Sequence, residues 1–147
     1  MLQVKFKKIH PLAPSPSYAK EGDAGMDLTA TDIIKNEAFQ IVYGTGIAVE
    51  IPEGYVGLVF PRSSIRKYDL SLTNCVGVID SGYRGEIQAT FRKERGVSSK
   101  IYEVGDRICQ IIILPYPTIH FVETNELSDS ERGTGGHGST GIKSVNV

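Results

Sequence analysis

A chain of 147 residues, with 16 Lys+Arg against 17 Asp+Glu and 40% hydrophobic residues, suits one soluble globular domain; a second independent core would be cramped. The near-neutral balance offers no basic face for a nucleic-acid duplex or an anionic membrane, and no apolar run approaches the roughly 20 residues that span a bilayer. Cys75 and Cys109 lie far apart and His10, His120 and His137 each stand alone, so neither a disulfide framework nor a zinc site is expected; two reduced thiols suit a cytoplasmic protein.

The opening residues, Met1 to Lys5, lack the apolar stretch of an export signal. Val4 to Lys7 alternates apolar and charged residues, which predicts a strand, and Lys5-Phe6-Lys7-Lys8 reads as its solvated face. Leu12 to Lys20, with Pro11, Pro14 and Pro16 in or beside it, predicts a surface loop. Ile47 to Ile51 and Tyr55 to Phe60 are β-rich runs split by the turn signal Pro52-Glu53-Gly54. No long helical periodicity exists; one or two helical turns are expected around Ser64 to Tyr68. Glu86 to Phe91 alternates again, Arg92 to Arg95 reads as a solvated face, and Ile108 to Leu114 is an almost continuous apolar run ended by Pro115. Short strands at this spacing, broken by Gly and Pro, predict an all-β sandwich, jelly roll or barrel over residues 1–124. From Asn125 the chain turns polar and then glycine-rich. A tail of that kind cannot bury enough apolar surface to offset its ordering entropy, so a flexible arm is expected over residues 125–147.

Three stretches carry the chemistry. Gly77-Val78-Ile79-Asp80-Ser81-Gly82-Tyr83-Arg84-Gly85-Glu86 sets an acid, an aromatic ring and glycines between two apolar runs, which predicts a β-hairpin. Exposed backbone groups at such a bend can read a base edge, and its carboxylate can act as a general base; an Asx-turn Asp with a packing Tyr is the plainer alternative. Pro61-Arg62-Ser63-Ser64 follows a strand and joins a guanidinium, two hydroxyls and backbone amides into a phosphate cradle, against the alternative of simple N-capping. Arg132 to Gly141 contains Gly-x-Gly-x-x-Gly, but no strand precedes it and no helix-length segment follows, so the dinucleotide-binding reading fails. What remains is an arm with a cation, hydroxyls, bare amides and one aromatic ring, suited to closing over a nucleoside triphosphate.

Together with Ala24-Gly25-Met26-Asp27-Leu28 and Gly105-Asp106-Arg107-Ile108-Cys109-Gln110, these stretches resemble, in order and across nearly the whole chain, the five motifs of the trimeric dUTPase family. The third of those motifs spans Asn74 through Gly85. Two positions depart from the pattern: His137 stands where the family more often has Phe, and Cys109 where it has a small residue, a packing substitution.

The resemblance implies a jelly-roll-like β-barrel subunit in a homotrimer, each site being built from several subunits. It implies hydrolysis of dUTP to dUMP and pyrophosphate, which supplies dUMP for dTMP synthesis and keeps uracil out of DNA. Asp80 is then the base that activates water. Mg²⁺ is held mainly by the triphosphate, with Asp27 reaching it through water. Arg62, Ser63, Ser64 and Gln110 contact phosphates. Asn74, with the backbone of Gly77, Val78 and Ile79, selects uracil. Tyr83 lies under the deoxyribose and Gln88 lines the base pocket. Arg132, His137, Gly138, Ser139 and Thr140 close the cage, the ring of His137 stacking on the base. Two rivals remain: a dCTP deaminase of the same fold, whose chemistry needs an acid/base at the base ring, and a non-catalytic nucleotide-binding regulatory module. The arm and the Asp80-to-Tyr83 spacing favour the diphosphatase.

Overall fold

The computed structural model describes residues 2–136. Its strands are β1 (Lys5–Lys8), β2 (Met26–Thr29), β3 (Asp32–Asn36), β4 (Gln40–Glu50), β5 (Tyr55–Pro61), β6 (Leu70–Leu72), β7 (Gly77–Ile79), β8 (Glu86–Lys93) and β9 (Arg107–Pro115). The remaining regular structure is two short 3-10 turns, Ser63–Lys67 and Gly96–Ser98. All strand pairs are antiparallel and fall into two sheets. In the first, β1 and β3 pair with different halves of β4, which also pairs with β8, and β6 closes the far edge. The second runs β2-β9-β5-β7.

Alternation builds the core. Along β8, Ile87, Ala89 and Phe91 point inward between exposed Gln88 and Arg92. Together with Ile41 and Tyr43 of β4 they meet Leu28, Val59, Ile108 and Ile111 of the other sheet in one cluster. Burial of each such large side chain contributes roughly 1.5–3 kcal/mol. The result is an all-β, jelly-roll-like fold. The register of β4 against β8 shifts between Gly44 and Ala48, and the Glu86 carboxylate accepts the Gly46 N–H at 2.7 Å within that irregularity. Glu86 thereby fixes where β8 begins, and with it the turn that precedes β8.

The expected strands at 4–7, 47–51, 55–60, 86–91 and 108–114 all form, as does the helical turn after Arg62. The loop after Pro11 is free of helix and strand, as expected. The hairpin does not form as expected. β7 pairs with β5 in one sheet and β8 with β4 and β6 in the other, so residues 80–85 are a crossing between sheets. Six intervening residues exceed the two to five usual in a hairpin loop, and apolar flanks alone cannot tell the two connections apart. The last strand ends at Pro115, and Tyr116 to Gly136 carry neither helix nor strand.

Candidate active site

Strand register assembles the first half of the site. Asp27 on β2 pairs with Gln110 on β9, and Gln110 pairs with Phe60 on β5, two residues before Arg62. Three motifs far apart in sequence therefore meet at one end of one sheet. The Asp27 carboxylate accepts from Arg62 Nε at 2.6 Å on Oδ1 and from Arg107 Nη1 at 2.9 Å on Oδ2. Its side chain is only 18% exposed, so these charge-assisted bonds are partly shielded from water. Arg62 Nη1 donates to Ser64 Oγ at 3.2 Å and to the Arg107 carbonyl at 3.4 Å. Gln110 Nε2 donates to the Pro61 carbonyl at 3.1 Å, and its carboxamide lies so near Gly25 that a Cβ there would overlap it. Asp27, Arg62, Ser63, Gln110 and Gly25 line a cavity of about 270 Å³.

The second half lies on the crossing between sheets. Val78, Ile79, Asp80, Tyr83, Glu86 and Gln88 line a separate cavity of about 200 Å³. The Tyr83 N–H donates to the Asp80 carbonyl at 3.1 Å, so the turn is closed by backbone. The Asp80 carboxylate makes no hydrogen bond among the described residues; the Asx-turn alternative is not what the structure has. The Tyr83 hydroxyl donates to the Glu86 carbonyl at 2.9 Å, and its ring lies against Gly85, where a Cβ would collide with it. Tyr83 is 43% exposed, its hydroxyl end held and much of the side chain accessible. Gln88 Nε2 lies 3.4 Å from a Glu86 carboxylate oxygen. Asn74 is exposed, with its amide nitrogen beside Gly77.

The capping alternative for the serines is not what the structure has. Ser63 and Ser64 do not cap the 3-10 turn, since its N-cap position is Arg62 and carries no side-chain cap bond. Ser63 lines the cavity, whereas Ser64 turns its hydroxyl to Arg62. Arg132 bonds within its own segment, Nε to the Gly135 carbonyl at 2.8 Å. His137, Gly138, Ser139 and Thr140 lie outside the described residues. Arg107, which sequence reasoning passed over, is the second clasp on Asp27; its only signal was its place in the fourth motif. Cys109 is 0% exposed, and burial, reinforced by the Asp27 charge, pushes its thiol up to about 12.

Among the described residues no cluster of three His, Cys, Asp or Glu side chains is placed to hold a metal ion. Asp27 has one guanidinium on each oxygen. A carboxylate offers about four acceptor positions, so each oxygen keeps a lone pair for a water. That donor set fits a hydrated cation bound chiefly by a substrate, not a cation in a protein cage.

The dUTPase family model matches residues 12–141. A deoxyuridine 5'-triphosphate nucleotidohydrolase from Thermobifida fusca is 40% identical over 142 residues, 95% of this chain and 79% of that protein. One from Alkaliphilus metalliredigens is 38% identical over 146 residues, 97% of this chain and all of its own length. Among solved structures, a Staphylococcus bacteriophage 80alpha dUTPase with dUPNHPP superposes with a TM-score of 0.85 at 28% identity, over 97% of this chain and 100% of that one.

Proposed function

The chain belongs to the dUTPase family, and from that premise we propose that it is a dUTP diphosphatase, hydrolysing dUTP to dUMP and pyrophosphate. The observation that carries this reading is the division of the site into a cationic cavity around Arg62 and Gln110 and a pocket holding Asp80, Tyr83 and Gln88. The first suits phosphates and the second suits a base and sugar. At about 270 and 200 Å³, both fall below the roughly 300–1,000 Å³ of ordinary ligand pockets, and they have no lining residue in common. A whole nucleoside triphosphate needs both halves and additional cover.

A homotrimer supplies that cover, each site drawing its halves from different subunits and Arg132, His137, Gly138, Ser139 and Thr140 closing over the ligand. Ile119, Phe121, Val122 and Leu127, each at least 66% exposed beyond β9, support assembly, since isolated subunits seldom leave so much apolar surface in water.

In this reading Asp80 takes a proton from a water molecule whose oxygen attacks the α-phosphorus in line. The new P–O bond forms as the bridging bond to the β-phosphate breaks, and pyrophosphate leaves with that electron pair. General-base help contributes about 10²–10⁴ in rate. Arg62 and Gln110 hold phosphate oxygens, with Ser63 beside them, so that positioning and charge stabilisation supply the rest. Asp27 would hold a hydrated Mg²⁺ at the triphosphate, and that ion would supply further neutralisation of its charge. Asn74 and the backbone of Gly77, Val78 and Ile79 pair with uracil; a wrong base leaves buried polar groups unpaired. The product feeds dTMP synthesis in the cytoplasm and dUTP is removed before it enters DNA.

Pyrophosphate release measured with dUTP, dCTP, dTTP and UTP tests the reading: turnover is expected with dUTP alone. Ammonia from dCTP would establish the deaminase instead, and binding of dUTP without turnover would establish the regulatory module. Sedimentation equilibrium is expected to give a trimer, and a monomer that still hydrolyses dUTP would defeat the assembly.

A further inference from the structure

Behind Arg62 lies a buried hydroxyl with no bonded partner. Tyr102 is 1% exposed, its ring 3.9 Å from that of Tyr68 and edge-on to Tyr43 at 6.3 Å, yet its phenol oxygen makes no hydrogen bond among the described residues. A buried donor left unbonded is costly and calls for a reason. Its ring packs on Tyr68, the residue that follows the 3-10 turn bearing Ser64. Burial drives the Tyr102 pKa up, and the Ser64 hydroxyl opposes that rise, although the pair stops short of a formed hydrogen bond. Tyr102 therefore stays protonated and remains a donor.

The chain of contacts continues outward. Ser64 Oγ already accepts from Arg62 Nη1 at 3.2 Å. A hydroxyl has two acceptor lone pairs, so one remains for the phenol. Arg62 spends Nε on Asp27 and Nη1 on Ser64 and the Arg107 carbonyl, while Nη2 has no partner among the described residues, and Arg62 lines the cationic cavity. Hydrogen bonds of this kind are often long or misaligned in an empty site and tighten when ligand binds.

We propose that Tyr102 is a positioning residue for phosphate binding: when a phosphate group enters the cavity its phenol donates to Ser64 Oγ, and Ser64 in turn holds the Arg62 guanidinium with Nη2 presented to that phosphate. The inference rests on the reading of this site as the triphosphate half of a dUTP site. The competing account is that Tyr102 only fills space beside Tyr43 and Tyr68.

Tyr102→Phe, Ser64→Ala and the double variant separate the two accounts, with affinities measured for dUpNHpp, which carries phosphates, and for deoxyuridine, which does not. Tyr102→Phe keeps the ring and is expected to keep the melting temperature. It should weaken dUpNHpp binding about two- to tenfold, the net worth of one hydrogen bond, and leave deoxyuridine binding unchanged. In the Ser64→Ala background the same change should cost nothing more, because the acceptor is gone. Unchanged dUpNHpp affinity, equal losses for both ligands, or losses that multiply in the double variant would overturn the inference. If Tyr102→Phe fails to fold, Ser64→Ala carries the test alone: a loss confined to dUpNHpp supports the relay, and an equal loss for both ligands, or none, defeats it. Wild-type protein that releases no pyrophosphate from dUTP sinks the functional reading and this inference with it. Wild-type protein that works, matched by Tyr102→Phe on both ligands, sinks only the inference.

Discussion

The two halves of the site are built in opposite ways. The half proposed for phosphates stands on three adjacent strands, and its polar groups are bound to one another: Asp27 is clasped by Arg62 and Arg107, and Gln110 is tied to Pro61. The half proposed for the base stands on a crossing between sheets, closed by a backbone bond, with Asp80 unbonded among the described residues and Tyr83 partly exposed. The difference follows from what each half must do. Two guanidiniums side by side repel each other, and Asp27 holds both, so that in the proposed reading the charged groups are already gathered when phosphate binds. A base is read by backbone polarity, and a general base must keep its lone pairs for water. In the proposed reading, rigidity is thus placed where like charges gather, and open valence where water is activated.

The contrast predicts what removing each carboxylate does. Asp80→Asn should lower kcat by about 10²–10⁴ while KM for dUTP and the melting temperature stay close to wild type, because the carboxylate supports nothing else. Steady-state kinetics beside thermal unfolding checks this; a matching rise in KM, or an intact kcat, would remove Asp80 from the base role. Asp27→Asn should act on both counts. Losing a charge-assisted anchor worth about 1.5–3 kcal/mol leaves two guanidiniums unopposed, so kcat/KM should fall about ten- to a hundredfold and the melting temperature should drop. An Asp27→Asn protein of wild-type stability and kcat/KM would show that the clasp is incidental.

A smaller effect probes the open half alone. Tyr83 is fixed by its hydroxyl on the Glu86 carbonyl and by its ring on Gly85, a posture suited to a wall beside the sugar. Tyr83→Ala should narrow the preference for dUTP over UTP by about tenfold, within the range that a pocket discriminates over one small group. Competition assays with the two nucleotides measure it, and an unchanged preference would exclude the ring as a 2′-hydroxyl gate.

How far the sequence reveals these halves depends on what organises each. β5 and β9 were legible as β-rich apolar runs, and β8 by strict alternation. β2 and β6 alternate as β1 does, but over only four and three residues, and in β3 the adjacent Ile33 and Ile34 break the alternation. The first half of β4 passed unnoticed because two glycines interrupt its apolar pattern. Asp80 and Tyr83 were legible as candidates because a turn concentrates its signals locally, yet the same turn was misread as a hairpin, since sheet membership is a long-range property. The convergence of Asp27, Arg62 and Gln110 could be read only through resemblance to a family, as it is made by register between β2, β9 and β5. Arg107 escaped because nothing in a local pattern indicates that a strand's first residue reaches back to Asp27.

The two cysteines test the contrast with the least disturbance, one in each half. Cys75 is exposed beside Asn74 and sits at φ 60, a left-handed conformation that a residue with a Cβ seldom adopts. Cys109 is 0% exposed on β9, with its pKa raised from 9.0 to about 12, chiefly by burial. An aromatic disulfide reagent at mildly alkaline pH should therefore modify one thiol in the native protein and the second only after denaturation, and Cys75→Ser should abolish the native reaction. The raised pKa also has a definite sign in stability. The unfolded chain releases this proton near its ordinary value, whereas the folded chain keeps it, so the contribution is intact below about 9 and drains as pH climbs toward about 12, at about 1.4 kcal/mol per unit. Tyr43, Tyr68 and Tyr102, also raised by burial, add to the same alkaline slope, so the Cys109 share is read as the difference between wild type and Cys109→Ala. That variant should begin about 1 kcal/mol less stable, for lost packing, and close the gap as pH rises. Equal native reactivity of both thiols would mean that β9 opens as readily as the loop after β6, and the phosphate half would lose its claim to be the rigid one.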